Sequence, residues 1–450
     1  MIVHLIAIGG SVMHQLAIAL KLKGYTITGS DDEIFEPAST NLNLSGISPE
    51  ALGWFPDKIH KDLDAVILGM HARADNPELL RAIELGVPIY SFPEYIYQES
   101  KNKTRVAIGG SHGKTTTTAM IMHVLKKCNM PFDYLVGARL EGFDQSVNIS
   151  EAPILISEAD EYPASALQRI PKFHFLFPHV AVITGIAWDH INVFPTYDGY
   201  VEQFSIFINK IEPNGVLIYN DSDEELNELI KNVSRTDIKL KAYRLPRFSI
   251  EKGVTFLDLE DEKTKLKVFG NHNLLNIHAA FLVCKELGLS AKEFTTSIAD
   301  FTGAAKRLEL IFESSATNVY RDFAHAPSKV KASIAAVKQQ FPSRQLIAVI
   351  ELHTYSSLNE AFMTEYNGAA KDADICIVFY SSHALEIKRM PPLPIEAVKK
   401  GFNKENLVVL TDKNELEAWF NNHTFNNTNV LLMSSGNYDG LDVTKVIAQS

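Results

Sequence analysis

Cysteine is scarce in this chain, with Cys128, Cys284 and Cys376 the only thiols in 450 residues. They lie far apart and each sits inside an apolar pattern, which argues against a disulfide framework or a thiolate metal site and predicts buried thiols. Long apolar runs are also missing. None approaches the ~18 residues that a helical membrane span requires. Positive charge is not in excess either: the formal net charge is −11, so broad nucleic-acid binding is disfavoured and an anionic ligand needs local basic sites. The opening MIVHLIAIGG has neither a basic leader nor a small-residue cleavage site. It reads as a first β-strand, and the expected location is cytoplasmic. We find no internal repeat and no low-complexity tract.

What is present fits a large globular protein, 46% hydrophobic and 22% charged. A prior of about 150 residues per domain suggests about three units. Short apolar strands alternate with helical stretches at Ile2 to Ile8, Thr26 to Gly29, Ala65 to Leu68 and Pro88 to Tyr90, a pattern of parallel sheet with helices on its faces. Polar Gln98 to Thr104 reads as a linker. A second region carries strands at Ile154 to Ser157 and Val180 to Thr184 and runs on to helical Asn273 to Leu287. A third follows a boundary near Gly303, with strands at Leu346 to Glu351, Ile375 to Tyr380, Leu407 to Leu410 and Val430 to Met433. Its alternation predicts another doubly wound unit. The expected domains are 1–101, 102–303 and 304–450.

The most informative stretch is RVAIGGSHGKTTTT, Arg105 to Thr118. An apolar run stops at Gly109 and Gly110, then Gly113-Lys114-Thr115 leads into a helical pattern. Glycines let backbone N–H groups approach phosphate oxygens, and the following helix offers its positive end. Lys114 is placed to reach β- and γ-phosphates, and Thr115 to ligate magnesium. The generic G-x-x-x-x-G-K loop has a glycine where Ile108 stands here, so this is a short variant. A plain strand-to-helix turn is the alternative reading for an isolated match.

Gly9-Gly10-Ser11 also follows a strand, and Asp31 lies about 20 residues on, where a ribose-binding acid would sit. The dinucleotide fingerprint fails in detail, because its second and third glycines would fall on Ser11 and His14. A nucleotide diphosphate on the helix after Gly10 remains an open reading, beside an ordinary tight turn.

Two further strand ends carry chemistry. In LISEADEY, Glu158, Asp160 and Glu161 follow an apolar run and emerge at a sheet's carboxyl edge, where α/β ligands bind and where carboxylate oxygens suit magnesium. In VITGIAWDHINVF, Asp189 and His190 lie just beyond another strand end. A histidine there could ligate a second cation or steer a phosphate. The order of strand, loop lysine, acid and histidine makes the functional reading stronger than any single piece.

The string GGSHGKTTTT resembles the ATP loop of the Mur ligase family, which joins amino acids or peptides to UDP-N-acetylmuramoyl precursors. EADEY, DH, GNHNLLNIHAA, KRLE and DFAHAP follow in that family's order, so the resemblance spans essentially the whole chain. It implies an α/β protein of three domains: an N-terminal Rossmann-like UDP-sugar domain, a central P-loop ATPase domain and a C-terminal Rossmann-like domain that receives the amine.

The resemblance also implies roles, residue by residue. Gly110, Ser111, His112, Gly113, Lys114, Thr115 and Thr116 would cradle ATP. Thr115, Glu158 and His190 would hold magnesium, with Lys114, Glu158 and His190 forming the catalytic set. His272, Asn273 and Asn276 resemble an adenine-contacting segment, Arg307 the arginine that reaches ATP, and Asp322 the nucleotide-contacting aspartate. Gly10, Ser11, Ser30 and Asp31 would meet the UDP-sugar, and His325 and His353 the amine substrate. The implied chemistry passes the γ-phosphate of ATP to a carboxylate, and an amine then expels phosphate from the acyl phosphate.

Within the family, HLIAIGGSVMHQLA, TGSDDEIFEPAST, EADEYP and WDHINVF resemble the branch that takes L-alanyl-γ-D-glutamyl-meso-diaminopimelate more than the branch that takes L-alanine. UDP-N-acetylmuramate is the expected partner of either amine. The chain departs from the family at Ala326, where a second histidine is common, and at Gly185, where many members have asparagine. Arginines common near His353, Tyr355 and Ser356 are absent, and no lysine stands between His190 and Lys210 to be carbamylated. Two other classes, a nicotinamide-dependent oxidoreductase at Gly9 to Ser11 and a non-catalytic nucleotide-binding regulator, are the competing readings.

Overall fold

The computed structural model describes residues 1–137, 140, 142–188, 193–303 and 307–449. Among the described residues the strands form four sheets. The first is wholly parallel, in the order Thr26–Ser30, Ile2–Ile6, Ala65–Leu68, Ile89–Ser91. The strands Ile2–Ile6 and Ala65–Leu68 are almost continuously apolar and buried, as strands covered on both faces must be.

The second sheet runs Lys239–Tyr243, Val216–Asn220, Val180–Ile183, Thr104–Gly109, Ile154–Glu158, Asp133–Leu135, Val147–Asn148, parallel except at its last strand. Thr104–Gly109 lies between Val180–Ile183 and Ile154–Glu158. That order decides the site, because it brings the glycine loop and both chemistry-bearing strand ends to one carboxyl edge. On one face, Phe173, Tyr200, Phe204 and Phe207 pack in an aromatic core. On the other, Val147, Ile149 and Leu155 share a core with Leu5 of the first sheet and with Leu16 and Phe92 of the helices Met13–Leu22 and Phe92–Ser100.

Several elements escaped the sequence reading, among them the antiparallel ones. Arg247–Glu251, Val254–Leu259 and Glu262–Leu266 make an antiparallel three-stranded sheet, and Glu309–Glu313 is an antiparallel edge strand. Charged residues are interspersed in both, so their apolar signal is diluted. The last sheet runs Glu309–Glu313, Thr317–Asp322, Thr428–Met433, Gln345–Glu351, Ile375–Phe379, Val408–Leu410, parallel beyond its first strand. Val349, Ile377 and Val430 are fully buried in its centre.

The linker expected over Gln98 to Thr104 is shorter than read. The helix Phe92–Ser100 continues through Gln98, because Ser91 and Glu94 form a capping box and Tyr95 and Ile96 are buried, while a strand already begins at Thr104. Two compact units emerge: Met1–Arg244 with Leu275–Ser297, and Leu245–Leu274 with Ile298–Ser450. Among the described residues no helix is long and apolar enough to cross a membrane. Cys284 and Cys376 are buried and Cys128 is half-buried, all as free thiols.

Candidate functional site

In the first unit the strand Thr104–Gly109 delivers the chain to a glycine turn that the helix Lys114–Lys127 continues. Gly110 and Gly113 have φ of +116° and +86°, a region costly for residues with a Cβ. Space forbids one as well: a Cβ on Gly110 would lie 2.3 Å from Thr184 Oγ1, and one on Gly113 would lie 2.4 Å from Asn276 Oδ1. Thr184 holds the loop by donating to the Gly109 and His112 carbonyls. Asn276, read from sequence as an adenine contact, is therefore brought against the phosphate loop.

Lys114 stands at the first helical position. Its Nζ donates to the Gly110 carbonyl at 2.6 Å and to both oxygens of Glu161, at 3.0 and 2.8 Å. Glu161 is 1% exposed. Ser111 Oγ accepts from the Ala187 amide and lies 2.9 Å from Tyr200 Oη. Thr116 is buried in the helix that follows.

Thr115 Oγ1 donates to Glu158 Oε2 at 3.1 Å, and the Gly137 amide donates to Glu158 Oε1 at 3.2 Å. Burial pushes the Glu158 carboxyl above the ordinary carboxylate range, against the pull of those two donors and the Lys114 charge. A carboxylate paired mainly with neutral donors beside a phosphate cradle suits a hard cation completed by phosphate and water oxygens. The residues present fit magnesium and ATP. Asp160 is diverted to Lys172, at 3.1 Å. His190 and Asp189 lie outside the described residues. Among the described residues no three His, Cys, Asp or Glu side chains cluster as a metal cage; Thr115 and Glu158 are the candidate ligands among them.

The second unit gathers another group of expected residues. His272 lies near Asp322 and Arg307: burial lowers its pKa, Asp322 opposes that shift and Arg307 adds to it. Asp322 ends the strand Thr317–Asp322 and accepts from Ser333 Oγ. The Arg307 guanidinium lies 5.2 Å from the centre of the Phe323 ring, and Phe323 meets His325 edge-on. Asn273 is buried and donates to the Phe269 carbonyl, which is a helix-terminus role.

His325 and His353 follow the carboxyl ends of strands separated in the sheet only by Thr428–Met433. His353 Nδ1 is 3.7 Å from buried Glu351, which also accepts from the Tyr438 amide and Ser434 Oγ. Sequence reasoning missed Glu351, although a charged residue ending an apolar strand is a signal. It also missed Lys388, whose Nζ lies 4.8 Å over the Tyr355 ring; nothing in the sequence pairs those two positions.

At the N-terminal sheet, Asp31 is buried and turned inward, its Oδ2 accepting from the Gly9 amide at 2.7 Å. Burial raises its pKa, and the Gly9 and Glu33 amides oppose the rise. Ser30 accepts from Lys58 at 3.2 Å, and the Gly10 carbonyl accepts from the His14 amide. Ser11 is exposed at the turn. The four residues expected to meet the UDP-sugar thus follow or end two neighbouring parallel strands, Ile2–Ile6 and Thr26–Ser30.

Three consecutive stretches match models of one family: residues 2–104 the Mur ligase family catalytic domain, 108–284 the Mur ligase middle domain and 306–436 the Mur ligase glutamate ligase domain. The UDP-N-acetylmuramate–L-alanine ligase of Sulfurihydrogenibium sp. is 31% identical over 385 residues, covering 84% of this chain and 82% of that protein. In three dimensions the chain resembles the UDP-N-acetylmuramate–alanine ligase of Thermotoga maritima, with a TM-score of 0.67, 22% identity, and 99% and 98% of the two chains covered. It also resembles the murein peptide ligase of Psychrobacter arcticus, with a TM-score of 0.61, 20% identity, and 100% and 99% covered. At those identities the structural likeness establishes the fold, a three-domain α/β architecture. The family uses ATP with magnesium and forms C–N bonds. The chain belongs to the Mur ligase family of ATP-dependent ligases.

Proposed function

We propose that this ligase joins the carboxylate of UDP-N-acetylmuramate to the amino group of L-alanyl-γ-D-glutamyl-meso-diaminopimelate. The observation that carries the ligase reading is the convergence of Lys114, Thr115 and Glu158 on one carboxyl edge. Lys114 neutralises phosphate oxygens as the γ-phosphate passes to the sugar carboxylate, and the loop amides orient the chain of phosphates. Thr115 and Glu158 would hold the magnesium, which would supply charge compensation to the phosphate oxygens. Arg307, Asp322, His272, Asn273 and Asn276 belong to the same nucleotide assignment. Gly10, Ser11, Ser30 and Asp31 take the UDP-sugar, and His325 and His353 take the amine.

Both amine donors present the same reacting group, the α-amine of an L-alanyl unit. They differ beyond its carbonyl, where the tripeptide adds carboxylates. Lys388, seated over Tyr355 beyond the carboxyl edge, offers a cation to such a carboxylate, which supports the tripeptide. The L-alanine reading is favoured instead by the curated relatives, several of which carry that name at 28–32% identity. A product assay decides between them: UDP-N-acetylmuramate and Mg-ATP are offered with either amine, and phosphate release is followed together with product mass. Product with the tripeptide and little with L-alanine is the expected result. Efficient turnover of L-alanine alone overturns the tripeptide assignment and leaves the ligase assignment standing.

A further inference from the structure

We propose that Glu161 is a positioning residue that competes with nucleotide phosphate for Lys114. An ammonium group has three donors and no acceptor. Those of Lys114 are engaged by the Gly110 carbonyl and the two oxygens of Glu161. A phosphate arriving at the loop must take a donor from one of them, and Glu161 is the anionic rival. Its carboxylate is buried, so it cannot simply turn to water. A buried carboxylate deprived of its partner is costly unless another donor replaces it.

The replacement is already in place. Tyr200 Oη lies 3.4 Å from Glu161 Oε1 and 2.9 Å from Ser111 Oγ. Ser111 in turn accepts from the Ala187 amide at 2.8 Å. Tyr200 Oη already donates to Glu161 at this long distance; as Lys114 moves to phosphate that bond shortens, while Ser111 donates to Tyr200 Oη and keeps the Ala187 amide. Glu161 never touches the reacting atoms. It sets how readily the loop lysine is given up, and Tyr200 lowers the cost of giving it up.

This inference rests on the ATP reading of the loop, and titration calorimetry of the full chain with MgADP separates the two. Glu161→Gln keeps the shape and removes the rival charge, so its Kd for MgADP falls roughly tenfold. The KM for ATP falls with it while kcat stays near that of the parent, the mark of uniform binding. Tyr200→Phe weakens MgADP binding several-fold, and that loss disappears in the Glu161→Gln background. An unchanged or raised Kd in a Glu161→Gln protein that melts like the parent overturns the competition, as does an equal Tyr200→Phe loss in both backgrounds. Should Glu161→Gln fail to fold, Tyr200→Phe alone carries the test, and an unchanged Kd there overturns the proposal. A parent protein that binds no MgADP overturns the ATP reading itself.

Discussion

Asp223 fills the space that a side chain at position 185 would need. A Cβ built on Gly185 lies 2.7 Å from Asp223 Oδ2, and Gly185 has a φ of +149°. Asp223 is fixed there by two tasks. Its Oδ2 accepts from the Ile186 amide at 3.0 Å, and its Oδ1 caps the helix Glu224–Lys231 through the Leu226 amide. Gly185 is therefore matched to this neighbour. Gly185→Asn, the residue that the family resemblance leads one to expect here, is expected to destabilise the protein by ~2 kcal/mol through backbone strain and the displaced cap. Thermal unfolding checks it, and an unchanged midpoint refutes the steric account.

Lys114→Ala removes the side-chain cation bonded to the phosphate loop. Ligation should fall by roughly 10²–10³-fold or more in kcat, the cost of losing one preorganised charge. Binding of UDP-N-acetylmuramate, followed by calorimetry, should be largely intact. Near-normal turnover would defeat the ATP-site assignment.

His272 makes stability depend on pH. Burial holds its folded pKa below the ordinary histidine value, so as pH falls the unfolded chain takes up the proton first. The unfolded state then binds more protons than the native one, and stability drops as pH falls below about 6.5. His272→Asn should flatten this slope in melts between pH 5 and pH 8. Asp322→Asn should steepen it, since Asp322 supports the charged imidazole. A slope that neither variant alters would show that His272 does not titrate in this range.

Ala326 occupies the N-cap of the helix Pro327–Gln340 and offers no side-chain cap. Its backbone is already extended as a cap requires, so Ala326→Ser should add about 1 kcal/mol of stability. Activity is expected to stay at the parent level. A large loss of turnover without loss of stability would place position 326 in contact with substrate.

The phosphate loop shows how much was legible in advance. Gly110, Gly113, Lys114 and Thr115 are local chemistry, since a glycine turn between an apolar strand and a helix specifies itself within a few residues. Glu158 was legible because a carboxylate ends an apolar strand. Glu161 was visible in the same string, yet its partner was not, because a salt bridge across 47 positions has no local signature. Tyr200 is an aromatic on an amphipathic helix, and the sequence alone makes it ordinary core. The Lys388 and Tyr355 contact is hidden for the same reason.

The sequence by itself determined the alternation of strands and helices, the glycine loop and the family, because each depends on residue type and short-range spacing. Periodicity also placed one strand end, so Glu158 was expected at a carboxyl edge, whereas Asp322 and His353 entered through the family resemblance. Only the tertiary structure decided which edges are shared. The order that sets Thr104–Gly109 between Val180–Ile183 and Ile154–Glu158 brings the glycine loop, Glu158 and Thr184 to one edge. It also decided that Lys114 is held by Glu161 and that Gly185 must lack a side chain. Strand order and packing are set by the burial of whole faces against one another, a long-range property that no local window of residues contains.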